Sequence, residues 1–233
     1  MIDLGRLIDV RHPIVPAALL VGFALGVAVM RLDVGTSSDV VRGSGVSAEQ
    51  ARSVAPFTAV ELAGDCVLTV HVGGAQAVTV EADDNLIGRV TTDVGDGRLV
   101  IATNGSFETR APMGVEVAVP ELRAARLTGS GAMSVDGVDT RRFEVNLPGD
   151  GLVTVDGSAQ RLETNLSGTG EARLQNLIAR DVVASLSGTG RIQVHATHSV
   201  DASVSGTGTI EYAGSPRDVR RDVTGTGTIA ARE

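Results

Sequence analysis

The chain has 233 residues, 42% of them hydrophobic, which is enough for one sizeable core, yet only 2% are aromatic, with no Trp and a single Tyr212. A core without large rings must be filled by Val, Leu, Ile and Ala in thin layers, which excludes a globule organised around a few big side chains and favours a repeat. The formal charge of −8 excludes the clustered basic surface that nucleic acid requires.

Residues 1–12 carry Asp3, Arg6, Asp9, Arg11 and His12 and read as a short stub. Pro13 to Met30 follows without a charged side chain and is mostly Ala, Val, Leu and Gly. As a helix rising about 1.5 Å per residue it would extend about 27 Å, close to the bilayer hydrocarbon thickness of about 30 Å. The segment 13–30 is therefore expected to be an uncleaved transmembrane signal anchor, with the stub cytoplasmic and everything after Arg31 outside. A cleaved signal peptide is the rival, because Gly26-Val27-Ala28 offers small residues at a cleavage spacing, and a buried soluble helix is a third reading. No Cys follows the apolar run, which disfavours a lipid anchor. Residues 31–53 are poor in large apolar side chains and rich in Gly, Ser, Asp and Arg, and read as a flexible linker.

Residues 54–233 are expected to form one domain. Its opening part, 56–120, shows strand signals in FTAVELAG, CVLTVHV, AVTVEAD, RLVIATN and VEVAVPEL, with a Gly95-Asp96-Gly97 turn, and is expected to supply opening coils or an N-terminal cap sheet. Cys66 has no intramolecular partner, so it reads as a small buried apolar residue.

From Leu127 the chain repeats: LTGSGAMSV, LPGDGLVTV, LSGTGEARL, LSGTGRIQV, VSGTGTIEY and VTGTGTIAA. The first glycines, Gly129, Gly149, Gly168, Gly188, Gly206 and Gly225, follow one another at steps of 20, 19, 20, 18 and 19 residues. Their companions are Gly131, Gly151, Gly170, Gly190, Gly208 and Gly227. Counting from each first glycine, the apolar positions fall at even offsets. One column is Leu127, Leu147, Leu166, Leu186, Val204 and Val223; a second is Phe143, Leu162, Val182, Val200 and Val219. A third is Met133, Val153, Ala172, Ile192, Ile210 and Ile229; a fourth is Val135, Val155, Leu174, Val194, Tyr212 and Ala231. Even offsets are the period of a strand with one buried face. Asn146, Asn165, Ser185, Ser203 and Asp222 hold odd positions and are expected to face solvent.

The fold class predicted is all-β: a single-stranded parallel β-helix of about 19-residue coils, each coil closed by Gly-x-Gly and by a polar turn such as Asp136-Gly137 or Asp156-Gly157. The glycines occupy inward positions, which implies a bend or a close backbone approach where a side chain would clash. They are not a dinucleotide fingerprint, since no helix follows them. An antiparallel sandwich is the alternative, but it does not need like residues at this spacing. In the last coil Arg221 replaces the small or apolar inward residues Val145, Ala184 and Ala202, and with Arg217, Asp218, Arg220 and Asp222 it reads as a charged end cap.

GSGV at 43–46, FTAVEL at 57–62, VTVEADDNL at 78–86, RLVIATN at 98–104, VAVPEL at 117–122 and the recurring LSGTG together resemble the autotransporter-adhesin head GIN domain family. The resemblance implies a right-handed parallel β-helix on the bacterial cell envelope with an adhesin-like role. The chain departs from relatives that look like lipoproteins or cleaved secreted proteins, because it has the 13–30 segment and no lipidation cysteine.

Candidate chemistry is sparse. His195 and His198 form His-x-x-His, with His71 far away in sequence, and read as solvated turn histidines rather than metal ligands. Asp83, Asp84 and Asn85 make an acidic turn that a Ca²⁺ ion would suit only if other oxygens converged. Asp136 and Asp156 align in one column, but Gln175, His195 and Ala213 continue it, so no acid pair recurs as a polysaccharide-cleaving site would need. A Thr-x-Thr array at Thr207, Thr209, Thr226 and Thr228 is broken in the earlier coils. No catalytic, cofactor or metal residue is expected. The function expected is a membrane-anchored, extracytoplasmic, adhesin-like binding or structural module, contacting the membrane through residues 13–30 and an envelope protein or glycan through its surface. Its alternatives are a self-assembling envelope scaffold and a polysaccharide-active β-helix enzyme; a sensor is disfavoured because residues 1–12 are too few for a signalling domain.

Overall fold

The computed structural model of the chain describes residues 40–232, which fall in one compact unit. The expected stub, the anchor at 13–30 and the first part of the linker lie outside the described residues. Short strands open the fold: β1 (Val41–Arg42), β2 (Ser47–Ala51), β3 (Ala59–Leu62), β4 (Val67–Val72) and β5 (Ala77–Asp83). A single turn of 3₁₀ helix at Ile87–Arg89 leads into β6 (Val90–Gly95), β7 (Arg98–Thr103), β8 (Phe107–Glu108), β9 (Gly114–Val119) and β10 (Ala124–Leu127). The repeat follows as four long bent strands, β11 (Ala132–Leu147), β12 (Leu152–Leu166), β13 (Glu171–Leu186) and β14 (Arg191–Val204). It ends in β15 (Thr209–Ala213), β16 (Asp218–Val223) and β17 (Thr228–Ala231). The described residues contain no α-helix and wind into a β-solenoid of about 5 turns.

The apolar columns read from the sequence are the register of that solenoid. Met133 pairs with Val153, Val153 with Ala172, Ala172 with Ile192, Ile192 with Ile210 and Ile210 with Ile229, all in parallel. Leu147, Leu166, Leu186, Val204 and Val223 align in the same way. Every member up to Val204 and Ile210 is buried, whereas Val219 and Val223 in β16 are 41% and 45% exposed. A full burial of each such side chain is worth about 1.5–3 kcal/mol, so the stacked columns are what hold one coil on the next.

The columns reach further back than Leu127. Leu127 pairs with Leu62, Met133 with Leu68 and Val135 with Val70, so β3 and β4 form a complete earlier coil. Its corner, Ala63-Gly64-Asp65-Cys66, holds the place of Gly-x-Gly, with Cys66 where later coils have their second glycine: a β-carbon at Gly131 would collide with the Cys66 carbonyl. Between this coil and the next, residues 73–119 make an excursion to the far side of β3 and β4, where β7 pairs in parallel with β3 and β9 with β4 as one more coil. In it β5 runs antiparallel to β2 and β9, and β6 runs antiparallel to β7.

Two expectations are corrected here. The linker reading of 31–53, and with it a domain start at 54, does not hold for the described part: β1 pairs with β8, and β2 pairs along its length with Thr79–Asp83. The segment lacks large apolar residues because β2 lies at a sheet edge with nearly all of its side chains in solvent. The polar Asp-Gly turns are bends inside continuous strands: β11 shifts register between Val135 and Val138, and Gly137 and Gly157 take φ of +76° and +138° there. An extra residue accommodated without leaving the ladder is a β-bulge, and the left-handed φ is why glycine serves.

Candidate binding surfaces

The second halves of β11 to β14 present a polar outer face. Asn146, Asn165, Ser185 and Ser203 stand in register across four strands. Asn165 Nδ2 donates to Asn146 Oδ1 at 3.3 Å, and Ser203 Oγ donates to Ser185 Oγ at 3.2 Å. The neighbouring row carries Glu163, which accepts from the guanidinium groups of Arg161 and Arg142. Those bonds, Arg161's first, hold the Glu163 carboxyl below its ordinary range against the opposing effect of burial. Exposed pairs of this kind contribute about 0–1 kcal/mol each, so they set the pattern of the face more than its stability. At the Gly-x-Gly corner Asp150 accepts from both Oγ1 and the backbone N–H of Thr169, at 2.7 and 3.1 Å, which lowers its pKa.

His198 and His71 are each engaged by a carboxylate from another strand. His198 Nδ1 lies 3.0 Å from Asp181 Oδ1, and Ser199 Oγ donates to the same oxygen at 2.6 Å. His71 Nδ1 lies 2.7 Å from Asp136, its register partner on β11, and its Nε2 is 3.6 Å from Glu116. Neither carboxylate is adjacent in sequence, and only an offset of one coil, counted along the columns, would have found them. Among the described residues no group of three or more His, Cys, Asp or Glu side chains is placed to hold a metal ion.

Asp83 is fully buried and faces donors rather than a cation site. It accepts from the backbone N–H groups of Gly45, Arg110 and Ala111 at 2.6, 3.0 and 3.2 Å. Burial alone would raise its pKa; the N–H groups of Arg110, Gly45 and Ala111 together hold it below the ordinary aspartate range. Asn85 completes a clasp on the same strap, accepting from the Ser44 N–H and donating to the Arg42 carbonyl, while Ser44 Oγ donates to Asp84. The acidic turn therefore fastens residues 42–46 to the solenoid. Burial pushes the Cys66 thiol up to about 11, which leaves it protonated and inert at neutral pH.

The Gly-x-Gly glycines lie where successive coils approach closest. A β-carbon on Gly149, Gly168, Gly188 or Gly206 would collide with the carbonyl oxygen of the first glycine one coil back, and the second glycines meet the coil below in the same way. The Thr pairs do not extend beyond the end: Thr209 and Thr228 are in register, but Arg191 and Glu171 precede them in that row. Among the described residues no helix is long and apolar enough to cross a membrane.

Residues 56–216 match the family described as "Putative auto-transporter adhesin, head GIN domain". Three solved structures share the fold. A "putative adhesin" of Bacteroides fragilis is 23% identical, covering 82% of this chain and 100% of its own, with a TM-score of 0.70. A "putative adhesin" of Parabacteroides distasonis is 22% identical over 83% of this chain and 100% of its own, at 0.54. A "putative lipid binding protein" of the same species is 21% identical over 83% and 99%, at 0.50. No curated protein matches the chain.

Proposed function

The chain belongs to the head GIN domain family, and from that premise we propose that it is a non-catalytic, adhesin-like binding module, anchored by residues 13–30 and displayed outside the cytoplasm. The observation that carries the reading is the polar face of Asn146, Asn165, Ser185 and Ser203, in register across a parallel sheet, with Asn165 bonded to Asn146 and Ser203 to Ser185. Such a face offers many weak, evenly spaced hydrogen-bonding groups held on a rigid scaffold, the arrangement that suits a repetitive glycan or an extended protein surface. The scaffold itself has no side chain that must move for this, since each column is locked by the coil on either side.

The descriptions of the family and of the three structures name adhesins and a lipid-binding protein and no catalytic activity. The apolar, uncharged run at 13–30, with Arg6 and Arg11 before it, supports the anchor and its orientation. Protease accessibility and N-terminal mapping of the full-length protein in its own membrane test the reading. The expected result is an intact N-terminus with the solenoid cleaved only from outside. Cleavage only from the cytoplasmic side, or a hydrolytic activity abolished by replacing one acidic side chain, would overturn it.

A further inference from the structure

The outer face of β2, β5, β9 and β4 surrounds a groove of about 760 Å³ whose lining includes Glu49, Glu81, Glu116, Val67 and Met113. Its shape follows from the register. Glu49 lies opposite Glu81, Glu81 opposite Gly114, Gly114 opposite Val67, Val67 opposite Ala132 and Ala132 opposite Leu152. Gly114 places no side chain between Glu81 and Val67, and from that depression an aliphatic row of Val67, Ala132 and Leu152 runs on across the sheet. Val67 is 51% exposed. The same row enters an adjoining groove of about 450 Å³ bordered by Asp65, Asp150 and Glu171.

The charge on these walls is one-sided. All 20 Lys and Arg positions of the chain are arginine, and none of the described ones lines either groove; the first has His71 in its lining. Away from the first groove outward carboxylates sit beside guanidinium groups, as Glu61 does with Arg98 and Arg126, Glu163 with Arg142 and Arg161, and Glu171, at the border of the second groove, with Arg173. Glu49 and Glu81 instead face each other across an antiparallel pair, an arrangement of like charges that costs stability. Glu81 accepts from the Ser47 hydroxyl, and the cation nearest Glu116 is at most a histidine, 3.6 Å away. A shallow aliphatic floor with uncompensated carboxylates at its rim is complementary to cationic groups carried on an apolar chain.

We propose that this groove binds an extended polypeptide segment in which Arg or Lys side chains alternate with aliphatic ones. The cations meet Glu49, Glu81 and Glu116, and the aliphatic side chains lie along Val67, Ala132 and Leu152. This is a second contact surface, on the first halves of β11 and β12 and away from the Asn146 ladder, and it rests on the binding-module reading.

The test uses the full-length protein in a neutral detergent and a labelled peptide of alternating Arg and Val, read by fluorescence anisotropy. The triple variant Glu49→Gln/Glu81→Gln/Glu116→Gln is expected to bind about tenfold or more weakly while melting at a higher temperature than the parent, because the like-charge contact is relieved. The control Asp201→Asn/Asp218→Asn/Asp222→Asn, which removes as much charge at the far end, is expected to bind as the parent does. A peptide of alternating Arg and Ser is expected to bind more weakly than the Arg-Val peptide. Equal losses in the two triple variants, equal binding of the two peptides, or no binding at all would overturn the proposal. So would concentration-dependent self-association lost in the glutamate variant, which would make the occupant a second copy. Attachment of cells displaying the glutamate variant reads the adhesin-like function separately, so that the groove can fail while that reading stands.

Discussion

A β-carbon at Gly188 would collide with the carbonyl oxygen of Gly168 one coil back, and the φ of Gly188 is not in the left-handed region, so the constraint is space rather than backbone conformation. Gly188→Val is therefore expected to force two coils apart and cost about 3 kcal/mol or more, with Thr189→Ala, an exposed neighbour, within about 0.5 kcal/mol of the parent. Urea denaturation of both variants checks this; an unchanged midpoint for Gly188→Val would show that the corner can spread. Cys66 holds the equivalent place in the coil of β3 and β4, where its carbonyl is what a β-carbon at Gly131 would meet, so its own side chain is not the one excluded. Asp83 illustrates the opposite economy. One buried carboxylate satisfies three backbone donors from two loops, and a β-carbon at Gly43 would run into that carboxylate, so the Gly-Ser-Gly strap and the Asp-Asp-Asn turn require each other.

At the scale of elements, the ends of the solenoid differ from its middle. β12 and β13 are paired on both sides, while β16 pairs with β14 alone and all six of its residues are exposed. An open parallel edge with aliphatic side chains is a template for another strand. Val219 and Val223 supply those side chains, and Arg221 stands between them at an inward position, its guanidinium 5.1 Å from the Tyr212 ring centroid and bonded to the Tyr212 hydroxyl. The arginine thus covers the last core layer and puts a charge where a docking strand would need an apolar side chain. Arg221→Val is expected to leave the fold intact and to make the protein self-associate with rising concentration, as read by sedimentation velocity. A variant that sediments as the parent does would show that the edge is protected by something other than this charge. The opposite end is closed differently, by the antiparallel pairing of β2 with β5 and of β6 with β7, and by Arg52, whose guanidinium donates to the carbonyls of Ile87 and Val90.

Taken whole, the molecule is a stack in which each coil touches chiefly the coils before and after it, so its stability is close to a sum of coil and interface contributions. Leu166 and Leu186 are in register, and deleting residues 167–186 joins Leu166 to Ser187 with every column preserved. The shortened protein is expected to fold cooperatively with the same strand signature by circular dichroism and a lower melting temperature. Failure to fold would mean that the coils are not interchangeable. The columns were legible from residues 127–231 because a coil repeats its neighbour's environment, and one environment recurring at a fixed spacing selects one residue type at that spacing. The earlier coil at β3 and β4 was legible only as strands of an opening coil or cap sheet and not as part of the columns, since the 73–119 excursion separates Gly64 from Gly129 and destroys the spacing while leaving the contact intact. Nor were β2, the His71–Asp136 and His198–Asp181 pairs or the Glu49–Glu81–Gly114 row, all of which join residues from strands set side by side only by folding. By itself the sequence determined the all-β class, the repeat and its inward columns, because burial acts on each coil alike. Tertiary structure alone decided where the excursion docks, which carboxylates keep a cation and which do not, because those depend on contacts that occur once.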